Sequence, residues 1–134
     1  MSAAELRTDA VIVACAISAG IHAALAPEHF RETTAAGVGF VASALLLAAL
    51  AVVLTHRPSE ATFAATVLLF AGLIGSYALA VTTGIPGVHP GVDSVDGLAL
   101  ATKAVEAAGF VLAAAGPRLA PLHLGLTNPK GTLT

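Results

Sequence analysis

The sequence predicts an all-α fold, a bundle of four transmembrane helices with a short interfacial helix at its outer end. Hydrophobic residues make up 57% of the 134 residues and charged residues only 10%, whereas a soluble domain usually carries about 25% charged residues. Four apolar segments approach or reach the length of about 20 residues that a helix needs to cross the hydrocarbon core. Because backbone groups in hydrocarbon must bond within their own segment, these segments are expected to be helices.

Apolar residues define the four predicted helices, and polar or turn-rich sequence separates them within a single domain. The predicted helices cover about 10–26, 36–55, 61–81 and 98–115, and a flexible tail is expected over 116–134. The first segment could instead be a cleaved signal peptide, because an Ala-Leu-Ala tripeptide ends it. Pro27 follows that tripeptide directly, and a proline just after the cleavage point favours a retained helix.

The first connection predicts the interfacial helix. Pro27 suits the first turn of a helix, and Glu28, Arg31 and Glu32 follow at helical spacing. These residues are therefore expected to form a short helix on the outer membrane surface. The connection between the third and fourth segments is rich in Gly and Pro. It is expected to be an irregular loop, and long ordered loops tend to be functional or mobile.

Basic residues near the helix ends predict the orientation, since Lys and Arg concentrate in cytoplasmic segments. Arg31 is the single basic residue of the first and third connections, and the opposite side carries Arg7, Arg57, Arg118 and Lys130. Both termini are therefore expected to be cytoplasmic, with the two longer connections outside.

Polar residues concentrate in the outer half of the predicted first, third and fourth helices. Counted from the outer end of the fourth helix, Lys103 and Glu106 lie about 9 and 13 Å deep. His22 and Tyr77 lie near the outer ends of the first and third helices. These four residues are the predicted polar pocket, and the inner half is almost entirely aliphatic.

Glu106 has two interpretations. A charge in the hydrocarbon core costs about 2.5–3.5 kcal/mol on the insertion scale. Lys103 can extend toward water, but Glu106 is too short to do so. Glu106 must face the bundle, and it needs a partner or a proton. The first interpretation is a neutral Lys103–Glu106 pair that fixes the helix register. The second is an outward-facing, water-filled cavity with Glu106 at its floor.

The outer histidines suggest a possible metal or haem site. The residues considered are His22, His29, His89, Glu32 and Asp93, whose imidazole and carboxylate groups can bind a borderline ion such as zinc. A haem between His22 and His89, both at the outer end, is the other possibility. The spacing matches no metal-binding motif, so the cofactor stays open.

Other function classes have little support in the sequence. The single cysteine, Cys15, excludes a thiol–disulfide relay within the chain. The net charge of −2 provides no basic surface for nucleic acid. No motif for phosphate binding or nucleophilic catalysis is present, so no catalytic residue is assigned and a non-enzymatic role is favoured.

Two segments carry a resemblance to known proteins. The segments GIHAALAPEHFRE (20–32) and YALAVTTGIPG (77–87) together resemble small four-helix integral membrane proteins of high-GC bacteria. The resemblance implies a multi-pass topology in a bacterial cytoplasmic (plasma) membrane, and it implies no activity.

Three functions are expected, in descending order. The first is a small membrane subunit or binding module with an outward-facing polar pocket, in contact with lipid and with other subunits or copies of itself. Small-residue helix faces that favour close packing support this function. The second is a homo-oligomeric transporter or channel that uses Glu106 as a proton- or cation-linked site. The third is a metal- or haem-binding membrane redox protein.

Overall fold

The computed structural model describes residues 1–88 and 90–116, and this part of the chain contains four α-helices and no strand. The helices are α1 (Ala3–Glu32), α2 (Thr34–His56), α3 (Glu60–Thr82) and α4 (Gly97–Ala114). All four are long and apolar enough to cross a membrane. The all-α prediction of four membrane-length helices is therefore confirmed.

The helices form an antiparallel bundle in which each helix contacts two neighbours. The contact between α1 and α2 is the most extensive, and that between α2 and α3 is the smallest. Among the described helices, the backbones of α1 and α3 do not approach each other closely, and neither do those of α2 and α4. One end of the bundle, here called the loop-rich end, carries residue 33 and the connection 83–96. The other, the terminal end, carries the N-terminus, the connection 57–59 and the end of α4.

The first helix is longer than predicted at both ends. At its start, Glu5 N donates to Ser2 Oγ at 3.2 Å, and Ser2 N donates to Glu5 Oε2 at 2.6 Å. This reciprocal pair is a capping box, which satisfies free N–H groups of the first turn. Arg7 Nη1 then donates to the carbonyl oxygen of Ala115 at 2.7 Å. Polar contacts therefore extend α1 beyond its apolar segment.

The expected separate interfacial helix is not present, because α1 continues through Pro27 to Glu32 without a break. A proline removes one hydrogen bond from a helix, and packing against α2 holds this last part in place. A Cβ atom added to Gly37 would overlap the ring of Phe30, so the aromatic ring rests directly on the backbone of α2. Residues 27–32 are therefore the final turns of α1.

A single residue, Thr33, joins α1 to α2. Its N–H donates to the His29 carbonyl at 3.0 Å, and its Oγ1 accepts from Ala36 N at 3.0 Å. Thr33 thus caps the end of one helix and the start of the next. Its hydroxyl also donates to the Val88 carbonyl, which links the start of α2 to the chain that follows α3.

The core between the helices is largely apolar toward the terminal end. Its fully buried large side chains include Val11, Leu54 and Phe70. A Cβ atom on Gly109 would lie 2.5 Å from Phe70 Cε2, so only glycine allows this ring to reach α4. Cys15 is buried in the same core. The predicted tail lies outside the described residues from 117 onward.

Candidate functional site

Glu106 is the centre of the one group of polar side chains from different helices that is buried in the described bundle. Its side chain is 0% exposed. Oε2 accepts a hydrogen bond from Lys103 Nζ, and Oε1 accepts one from Ser18 Oγ at 3.0 Å. His22 Nε2 lies 3.8 Å from Oε1. With Tyr77 these residues form what is called here the Glu106 cluster.

Helix α1 presents two polar side chains to Glu106 because Ser18 and His22 are four residues apart and share one helix face. His22 Nδ1 lies 2.9 Å from the carbonyl oxygen of Ser18. A carbonyl oxygen only accepts, so Nδ1 carries the hydrogen atom. The other ring nitrogen, Nε2, faces the Glu106 carboxylate and carries a proton only when the imidazole ring is charged.

Lys103 reaches the cluster from the same helix as Glu106, three residues earlier. In addition to the carboxylate, its Nζ contacts the Leu73 carbonyl oxygen at 3.4 Å and lies 5.3 Å from the centre of the Tyr77 ring. The ammonium group is therefore surrounded by a carboxylate, a carbonyl and an aromatic face. Its side chain is 19% exposed, so Lys103 lies at the edge of the cluster.

Tyr77 contributes an unsatisfied polar atom. Its Oη is buried and has no hydrogen-bond partner among the described residues. Buried polar groups normally have a partner, and a buried hydroxyl without one is unfavourable for folding. This hydroxyl is therefore available to a polar atom of a bound molecule.

Helix α2 provides an aromatic ring to the cluster. Phe40 lies between two histidines: its ring centre is 5.2 Å from that of His22 and 3.6 Å from that of His29, on which it stacks at 20°. His56, at the opposite end of the bundle, is the only residue of α2 with a titratable side chain. Helix α2 therefore shields the cluster without adding charge to it.

The structure brings together the four residues of the predicted polar pocket, His22, Tyr77, Lys103 and Glu106. They form a closed cluster, since the His22 side chain is 6% exposed and that of Glu106 is inaccessible. A cavity of about 360 Å³ lies elsewhere, at the terminal end, and its lining includes Glu5, Arg7, Asp9, Leu54, Pro58 and Phe63.

The predicted metal or haem residues are placed only in part, because His89 lies outside the described residues. Within the described ranges, no group of three or more His, Cys, Asp or Glu residues is arranged to hold a metal ion. His22 belongs to the Glu106 cluster, and His29 donates toward the Leu25 carbonyl at 3.0 Å while it stacks on Phe40. The metal and haem hypotheses stay predictions.

Sequence reasoning missed two members of the site. Ser18 is a small residue in an apolar helix, where packing is the usual role, although its spacing of four from His22 was a usable signal for a shared face. Phe40 had no such signal, because an aromatic residue in an apolar helix is most often a packing residue. The Leu73 carbonyl is likewise a contact that only the three-dimensional arrangement shows.

Comparisons with protein-family models, with curated proteins and with solved structures find no match for this chain. The functional argument therefore rests on the chemistry of the Glu106 cluster.

Proposed function

We propose that this protein is a small multi-pass membrane subunit or binding module with the Glu106 cluster as its binding site. The observation that carries the proposal is the complete burial of Glu106 among partners from α1 and α4, in a bundle whose core is otherwise largely apolar. The protein works in a bacterial cytoplasmic membrane, with both termini inside and the loop-rich end outside.

Energetics support a role beyond stability for the cluster. Burying an ion pair requires the removal of two charges from water, and replacing such a pair by well-packed apolar residues is often neutral or stabilising. If these two residues served stability alone, the bundle would be at least as stable with aliphatic residues at 103 and 106. Ionisable residues inside a membrane therefore indicate a functional site.

The outer surface of the bundle supports assembly with other chains. Gly20, Gly39, Gly72 and Gly75 are exposed, and a Cβ atom added at any of them would meet nothing within 4 Å. Exposed small residues allow another membrane helix to approach closely. The subunit is therefore expected to act in a larger complex, with itself or with other membrane proteins.

Assembly is tested on native membranes solubilised in a mild detergent. The size of the complex is measured by native electrophoresis and mass photometry for the wild type, for Gly75→Leu and for Gly39→Leu. The first side-chain atom at either position meets nothing within 4 Å, so folding should be retained, and the variant on the interacting face should lose the complex. A wild-type particle that has the mass of one chain would rule out the assembly.

A second function, a homo-oligomeric transporter that uses Glu106 as a proton-linked site, is favoured by one observation. His22 Nε2 faces Glu106 Oε1 at 3.8 Å, an arrangement with room for a proton between two basic atoms. Proteoliposomes with an internal pH dye measure proton flux for the wild type and for Glu106→Gln. As a control, Thr66→Val changes a buried hydroxyl that donates to the Thr62 carbonyl within its own helix. Equal flux in all three proteins would exclude this function.

A further inference from the structure

The environment of the Lys103 ammonium group points to a ligand class. A carboxylate, a backbone carbonyl and an aromatic face surround Nζ, from Glu106, Leu73 and Tyr77 respectively. Charge-assisted hydrogen bonding and the cation–π interaction together are the means by which proteins recognise a primary ammonium ion. We propose that the Glu106 cluster binds a small primary ammonium ligand, and that the Lys103 ammonium group fills this site when no ligand is bound. This inference rests on the proposed function.

Charge favours an ammonium ligand over other ligands. The buried Glu106 carboxylate requires one positive partner, and Lys103 supplies it. A ligand ammonium group that takes the place of the Lys103 ammonium leaves the net charge of the cluster unchanged. An anion beside Glu106, or a second cation beside Lys103, would add an uncompensated charge to a low-dielectric site. Exchange of one ammonium group for another is therefore the reaction that the site accommodates at the lowest electrostatic cost.

Lys103 can leave the site without crossing the core. Its side chain is already 19% exposed, whereas that of Glu106 is not exposed at all. Helix α4 begins at Gly97, so Lys103 lies about 9 Å from the loop-rich end. A lysine at this depth can extend its long aliphatic stem toward the membrane surface and place its ammonium group in water. The outward movement frees the carboxylate for the ligand.

The hydroxyl of Tyr77 narrows the ligand class. Its ring faces the ammonium group, and its Oη is buried without a partner among the described residues. A ligand oxygen atom close to the amine would accept a hydrogen bond from this phenol. The proposed ligand is therefore a primary amine with a nearby oxygen, as in free ethanolamine or in the headgroup of phosphatidylethanolamine.

The first test measures thermal unfolding of the purified full chain in phosphatidylcholine nanodiscs, with ethanolamine, methylammonium, tetramethylammonium or sodium at equal ionic strength. Lys103→Ala vacates the site, so ethanolamine and methylammonium are expected to raise its Tm, and the other two ions are not. The apparent affinity should exceed that of the wild type by at least about tenfold, because no tethered amine competes. Lys103→Ala combined with Glu106→Gln should show no amine-specific stabilisation.

The second test uses the wild type and does not depend on the folding of a variant. The chain has two lysines, Lys103 and Lys130, so the 15Nζ NMR spectrum of lysine-labelled protein is simple. Ethanolamine is expected to shift the Lys103 signal and leave that of Lys130 unchanged. A shift on changing the nanodisc lipid from phosphatidylcholine to phosphatidylethanolamine, without added amine, would identify the lipid headgroup as the source.

The results separate the ligand class from the proposed function. If neither ethanolamine nor phosphatidylethanolamine shifts the wild-type Lys103 signal, the ammonium site is wrong, even where the native protein assembles into a complex. Equal stabilisation by all four ions, in wild type and variants alike, also overturns it. A Lys103 shift in a protein that is a single chain in native membranes would retain the ammonium site and exclude the larger assembly.

Discussion

The two halves of the bundle use the same helices but are held together by different interactions. Toward the terminal end, Phe70 packs against Gly109 and the core depends on a close fit between apolar surfaces. Toward the loop-rich end, the buried carboxylate of Glu106 depends on partners that carry a charge or a hydroxyl. The terminal half should therefore respond to changes in volume, and the loop-rich half to the loss of a partner.

The largest loss of stability is expected from Lys103→Met, which keeps the aliphatic stem and removes the charge. Glu106 would then be buried without its positive partner, and breaking a buried ion pair in this way costs about 3–5 kcal/mol. The free energy of unfolding, measured by titration from mild detergent into sodium dodecyl sulfate, should fall by that amount.

The matched control removes both charges. Lys103→Met combined with Glu106→Leu should recover most of the lost stability, since no unpaired charge remains in the core. If the double variant is as unstable as the single variant, the loop-rich half depends on packing after all and the two halves do not differ in kind.

The next effect is expected from Ser18→Ala, which removes the hydroxyl that donates to Glu106 Oε1. Hydrogen bonds to charged groups contribute about 1.5–3 kcal/mol, so the same unfolding experiment should show a loss in this range. Ser43→Ala is the control, because the Ser43 hydroxyl is exposed and donates to the Gly39 carbonyl within its own helix. Equal small losses in both variants would contradict a specific contact with Glu106.

In the terminal half, Gly109→Ala is expected to lower the free energy of unfolding by as much as Ser18→Ala or by less. The new Cβ atom would lie 2.5 Å from Phe70 Cε2, and overpacking of a core typically costs about 1–3 kcal/mol. Gly72→Ala adds the same atom where nothing lies within 4 Å, so it should be neutral or slightly stabilising. Equal unfolding free energies for the two variants would show that the terminal half tolerates changes in volume.

The fold was largely predictable from hydropathy, because hydrocarbon thickness sets the length of an apolar helix. The ends of α2, α3 and α4 agree with the prediction to within two residues. The ends of α1 do not, because polar and packing contacts extend it: the capping box with Glu5 at one end and the ring of Phe30 on Gly37 at the other. Mean hydropathy carries no information about such contacts.

The site was predictable only in part, for a related reason. The cost of an unpaired charge indicated that Glu106 must face inward, and helical spacing indicated Lys103 as a partner. The contacts with Ser18, the Leu73 carbonyl and Phe40 depend on how the helices are rotated about their axes. Small residues cover several faces of this chain, so the sequence does not determine that rotation.

The smallest change in stability is expected from Tyr77→Phe, and it should be an increase. The variant keeps the aromatic face above Lys103 Nζ and removes a buried hydroxyl that has no partner among the described residues. Relief of an unsatisfied group should stabilise the protein by up to about 1 kcal/mol, whereas loss of a made hydrogen bond would destabilise it by a similar amount. Tyr77→Leu, which also removes the aromatic face, should be less stable than Tyr77→Phe. Destabilisation by Tyr77→Phe in amine-free phosphatidylcholine nanodiscs would mean that the hydroxyl is already bonded, so it would not be free for a ligand.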